Sequence, residues 1–152
     1  RRWISVFPRA AAVAAPLLDE AASFQVALQP CLRDVWSDHI LFSGDDVTGI
    51  VDLGAMRIES VAADVARLLG SMVGDDAALW QSGLASYEAV RPFDAQERRL
   101  AVAIDRGNVV LSGMLWLRWL LIDERHFDDV DAIIQRLRTG LGRLDAIASA
   151  SG

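Results

Sequence analysis

Only one stretch of this chain has the composition of β-structure, and it sits among segments spaced for helices. Ile40-Leu41-Phe42 and Val47-Thr48-Gly49-Ile50-Val51 are short runs of β-formers, separated by the turn-formers Ser43-Gly44-Asp45-Asp46. This pattern predicts a hairpin over residues 40–51. The expected fold class is therefore mainly α with a short β-hairpin.

The flanking segments supply the helices. Residues 9–27 are rich in alanine and leucine and predict a helix begun or interrupted at Pro16 and ended by Gln29-Pro30. Ser60 is placed to cap a helix whose apolar residues Val61, Val65, Leu68, Leu69 and Met72 recur at helical spacing, with Gly74 as its stop. A further helix is expected over residues 76–90, followed by a break at Arg91-Pro92. Asp94, with Glu97 three residues on, forms a capping pair for a helix through Arg106. Gly107-Asn108 permits a kink or a short turn. Residues 109–122, with Trp116 and Trp119, are apolar on nearly every side and read as the centre of the core. A last amphipathic helix carries Val130, Ile133, Ile134, Leu137 and Leu141 on one face, before a small-residue tail from Ala146. No repeat or low-complexity linker interrupts the pattern, so residues 1–152 are expected to form a single domain.

With 53% hydrophobic and 24% charged residues, the chain can bury a real core. Fifteen Lys and Arg stand against 21 Asp and Glu, a net charge of −6, which argues against nucleic acid and against anionic membrane surfaces as partners. Residues 109–122 are too few to cross a bilayer and include Arg118, so no spanning segment is expected. The single cysteine, Cys31, has no partner for an internal disulfide and suits a reducing, cytoplasmic setting. The chain opens without an initiator Met and without a signal-peptide pattern, and so reads as a piece of something longer.

The chemistry is concentrated around the hairpin. Leu32-Arg33-Asp34-Val35-Trp36-Ser37-Asp38-His39 precedes it and Asp52-Leu53-Gly54 follows. A hairpin brings its ends together, so Asp34 and Asp52 should lie side by side on loops, within roughly 10 Å of each other. Phosphoryl transfer calls for such a pair, one carboxylate to take or orient the proton of an attacking hydroxyl and one to hold magnesium. Asp64 falls inside the apolar stripe of the following helix, three residues past Val61 and four before Leu68. An unpaired carboxylate would be costly there, so it should have donors.

These residues resemble the kinase pattern. Protein kinases carry H-R-D-x-x-x-x-N before such a hairpin and D-F-G after it; aminoglycoside and choline kinases carry the similar H-G-D-x-x-x-x-N and I-D-[WF]-G. Here Leu32-Arg33-Asp34 leads to His39 at the asparagine position, and Val51-Asp52-Leu53-Gly54 follows at kinase spacing. Residues 60–66, Ser-Val-Ala-Ala-Asp-Val-Ala, are similar to the D-P-A-x-D-L-A stretch of aminoglycoside phosphotransferases, with Asp64 at its last aspartate. The resemblance implies the C-terminal lobe of a protein-kinase-like fold, with a catalytic loop at 32–39, the hairpin at 40–51, a metal-binding loop at 52–54 and a helical remainder. It implies an ATP- and magnesium-dependent phosphotransferase acting on a hydroxylated small molecule. Asp34 would be the catalytic residue, Asp52 and His39 the metal ligands, and Asp64 a brace for the catalytic loop's backbone.

The sequence departs from the pattern at two positions. Leu32 stands where the usual histidine would be, and His39 offers magnesium a softer ligand than asparagine. Asp38 could supply an oxygen instead, or one metal could suffice. No G-x-G-x-x-G loop and no strand lysine is present; in kinases both belong to an N-terminal lobe. A non-catalytic binding or regulatory module on the same fold is the alternative. His126 reads as a surface or capping residue, Cys31 as inert, and Asp123, Glu124, Asp128, Asp129 and Asp131 as a solvated helix start rather than a cation-binding patch.

Overall fold

A computed structural model describes residues 2–127 and 129–150. The chain, expected to be a single domain, divides into two compact units, Ala21–Asp105 and Arg1–Glu20 with Arg106–Gly152.

The first of these, Ala21–Asp105, holds all the β-structure among the described residues. The predicted hairpin forms from β2 (Ile40–Ser43) and β3 (Asp46–Ile50), paired antiparallel from Ile40 opposite Ile50 to Ser43 opposite Asp46, with a bulge at Leu41/Phe42. Gly44 takes φ 61 in the two-residue turn, a conformation that glycine adopts without the Cβ penalty. The amide of Val51 donates to the carbonyl of His39 at 3.0 Å, so the pairing reaches the loops on either side.

A second pair went unread in the sequence. β1 (Leu28–Cys31) runs antiparallel to β4 (Arg57–Ser60), with Pro30 opposite Ile58. Proline is tolerated because a two-stranded sheet is all edge. This pair clamps together the two ends of the segment that contains both loops and the hairpin.

Helix α2 (Val61–Met72) leaves β4 directly, its first turn capped by Ser60, whose Oγ accepts from the amide of Ala62 at 3.3 Å. Gly74, at φ 61, follows its end. Asp76 caps α3 (Ala77–Glu88) by accepting from the amides of Ala78 and Leu79. Cys31, Val61, Ala62, Val65, Ala66, Leu84, Phe93 and Ala101 form the core of this unit. Burial pushes the Cys31 thiol pKa up, which agrees with an inert cysteine.

Helix α4 (Ala95–Leu121) starts with the predicted reciprocal cap. The amide of Glu97 donates to Asp94 Oδ1 at 2.8 Å, and the amide of Asp94 donates to Glu97 Oε2 at 3.1 Å. The permitted break at Gly107-Asn108 does not occur. Gly107 is kept small instead, since a Cβ there would lie 3.3 Å from Leu18.

The second unit packs α1 (Arg2–Ala21) and α5 (Val130–Ser149) against the later part of α4. Val6, Ala10 and Ala14, one per turn, meet Val109, Val110, Leu144, Ile147 and Ala148. At Gly113 a Cβ would sit 1.8 Å from the Trp3 ring, so the absence of a side chain there is what lets the indole in. Three expectations are corrected in this unit. The first helix begins and ends earlier than residues 9–27, with Pro8 and Pro16 both inside it. The last helix runs through Ser149 and buries Leu144 and Ile147, while Val130 and Ile134 stay exposed. Residues 109–122 are not enclosed: Leu111, Met114, Leu115, Leu121 and Ile122 are exposed, because α1 and α5 cover one face only. As one 27-residue helix, α4 is long and apolar enough, by length and composition alone, to cross a membrane, a test that a core helix also passes.

Candidate active site

The site is built where β2 and β3 open out. The loop before β2 carries Asp34 and ends in a short 3-10 turn, Ser37–His39; the residue after β3 and Val51 is Asp52. One ligand atom from each of Asp34, His39 and Asp52 falls within 4.8 Å of the others, well inside the separation expected from the hairpin. Asp38 is not part of that set; its Oδ1 accepts from Ser37 Oγ at 3.1 Å.

Exposure differs across the three. The Asp52 side chain is 64% exposed and that of Asp34 43%, whereas His39 is 14% exposed. Asp52 also takes φ 60, a left-handed conformation that non-glycine residues seldom adopt and that tends to persist where the surroundings impose it.

His39 is held from both ring nitrogens. Trp36 Nε1 donates to His39 Nε2 at 2.8 Å, and His39 Nδ1 meets the carbonyl of Asp34 at 2.6 Å. An indole N–H can only donate and a carbonyl can only accept, so the ring is neutral with its proton on Nδ1. The Nε2 lone pair that a cation would need is therefore occupied by Trp36. In this arrangement His39 orients the backbone at Asp34, and its Nε2 lies 3.9 Å from Asp52 Oδ2.

Helix α2 grips the same loop. Asp64 Oδ2 and Oδ1 accept from the amides of Leu32 and Arg33 at 2.8 and 2.7 Å. These are the donors the sequence required, although Asp64 is half-buried rather than enclosed. The bonds draw the backbone through a left-handed residue, Arg33 at φ 65, immediately before Asp34. Two residues on α2 escaped the sequence reading. Arg67 Nη2 donates to Asp34 Oδ1 at 2.8 Å, and Ser71 Oγ accepts from the amide of Ser37 at 2.9 Å. Their spacing with Asp64, i, i+3, i+7, puts the three on one helix face, but it does not say which groups that face meets.

The profile of the phosphotransferase enzyme family (APH) matches residues 2–101, about two thirds of the chain. The chain belongs to that family. The match takes in the whole candidate site and both strand pairs of this phosphotransferase-family chain. Comparison with curated proteins and with solved structures gave no match.

The donor set suits one hard cation. Asp52 offers an open carboxylate, and magnesium is commonly held by one or two carboxylates with substrate phosphates completing its shell; Asp34 keeps one oxygen free of Arg67 for an acceptor hydroxyl. Elsewhere, Asp129 caps α5, accepting from the amide of Ala132 at 2.8 Å, as a helix-start residue should. Asp123 pairs with Arg118 at 3.5 Å. His126 is exposed and lines an apolar cavity of about 390 Å³ with Phe127, Val130 and Ile133. Asp128 lies outside the described residues.

Proposed function

We propose that this phosphotransferase-family chain is the C-terminal lobe of a small-molecule kinase that moves the γ-phosphoryl group of ATP onto a hydroxyl. The observation that carries the reading is the convergence of Asp34 and Asp52 at the two ends of one hairpin, with ligand atoms no more than 4.8 Å apart. In this reading Asp34 accepts the proton of the acceptor hydroxyl as its oxygen bonds to phosphorus and the bond to the ADP oxygen breaks. Asp52 holds magnesium, which when bound offsets phosphate charge. Asp64 and His39 keep the loop in place, so that Asp34 meets the acceptor in a preset position. A glycine-rich phosphate loop and its lysine are assigned to an N-terminal lobe of the same protein, and the isolated 152-residue chain is expected to show no appreciable phosphorylation.

One observation favours a second reading. A histidine whose lone pair is engaged by Trp36 stands where kinases place an asparagine ligand, and this suits a non-catalytic binding module. The deciding assay is magnesium-dependent ATP turnover by the full-length gene product against a panel of amino alcohols, sugars and aminoglycosides. Substrate-stimulated turnover that falls about a hundredfold or more in Asp34→Asn and in Asp52→Asn, with folding retained, supports the kinase reading. Turnover that survives Asp52→Asn refutes its metal role, and a full-length protein inert to every substrate favours the binding module.

A further inference from the structure

We propose that Arg67 is a positioning residue for Asp34, a role that rests on the phosphotransferase reading above. The polar stripe of α2 divides its work. Asp64 takes the amides of Leu32 and Arg33, and Ser71 takes the amide of Ser37 while donating to its own helix at Leu68. Of these three α2 residues, Arg67 is the one bonded to a side chain in the candidate site. With the amides before Asp34 held by Asp64 and its carbonyl held by His39, the backbone at Asp34 is fixed without Arg67. What stays free is rotation of the carboxylate, and the 2.8 Å bond from Arg67 Nη2 to Oδ1 stops it. Asp34 Oδ2 is then the oxygen left to receive a hydroxyl proton.

The burial of the pair separates this role from a stabilising one. The two side chains are 39% and 43% exposed, and ion pairs in that range add little to stability. The Arg67 Nε is buried and, among the described residues, has no hydrogen-bond partner, so the bond from Nη2 to Asp34 is the polar contact that sets the direction of the guanidinium.

The test uses the full-length gene product with magnesium-ATP and the best acceptor from the panel. Arg67→Met and Arg67→Lys are compared for kcat, KM, melting temperature and the ¹³C resonance of the Asp34 carboxylate. Arg67→Met should lower kcat by about a hundredfold, the usual scale of a misplaced catalytic group, with KM for ATP and the melting temperature near wild type and the Asp34 resonance shifted. Arg67→Lys, which keeps the charge and a donor, should recover much of the rate. An unchanged kcat overturns the proposal, as does a loss matched by loss of folded protein, or a lysine variant no better than methionine. A wild type with no turnover in which the Asp34 resonance still responds to Arg67→Met refutes the kinase reading but leaves Arg67 as the group that orients Asp34. An inactive wild type whose resonance ignores Arg67 refutes both.

Discussion

Arg33 adopts a backbone conformation that its own side chain disfavours. At φ 65 an L-residue bears a steric cost, and the H-G-D pattern of related kinases places glycine at this position. The strain persists because the amides of Leu32 and Arg33 both end on Asp64. Arg33→Gly should therefore stabilise the protein by about 0.5–1 kcal/mol, the left-handed penalty less the greater chain entropy of glycine; a calorimetric melting curve reads the sign. Asp64→Ala acts in the opposite direction. Removing the acceptor of two loop amides should cost about 1–3 kcal/mol, visible in denaturant unfolding, and an unchanged curve would contradict the bracing role. A carboxylate amid the apolar residues of α2 announced that donors must exist. That those donors are backbone amides of a left-handed turn was not written in any residue type.

At the scale of elements, local chemistry decided the helix starts and packing decided their extents. Ser60, Asp76 and Asp94 each cap the helix that follows, because a side-chain acceptor next to a helix start needs no distant partner to work. Glu97 does more than complete its cap. It is almost fully buried and pairs with Arg91 at 3.0 Å, while Arg91 also bonds Gln29. Asp94→Ala should cost about 1 kcal/mol, the loss of a cap, whereas Glu97→Ala should cost about 3 kcal/mol by leaving a part-buried guanidinium without its carboxylate. Urea unfolding of the two variants side by side checks the ranking, and equal losses would show that the ion pair adds nothing to the cap. The uninterrupted course of α4 past Gly107 had no local signal. Glycine and asparagine permit a turn, and the packing of Leu18 over Gly107 favours the continuous helix.

At the scale of the whole molecule, the hairpin stands as a separate two-stranded sheet. Among the described residues its strands pair only with each other, and Leu41, Phe42, Val47, Ile50 and Val51 are exposed. Two-stranded sheets are marginal in water, and apolar patches of this kind mark surfaces that bind. In the isolated chain, hairpin amides should exchange with solvent faster than those of α2, and 8-anilinonaphthalene-1-sulfonate should bind with enhanced fluorescence. Equal protection of hairpin and α2, without dye binding, would show that the hairpin is stable unaided. By itself the sequence determined the hairpin, the helix caps and the pairing of Asp34 with Asp52, because turn chemistry and capping act over a few residues and a hairpin must return its ends together. Tertiary structure alone decided the β1–β4 clamp, the grip of Arg67 and Ser71 on the loop before β2, and the capture of His39 by Trp36. Each of these depends on where a backbone amide or one nitrogen lone pair lies in space, and residue spacing does not encode that direction.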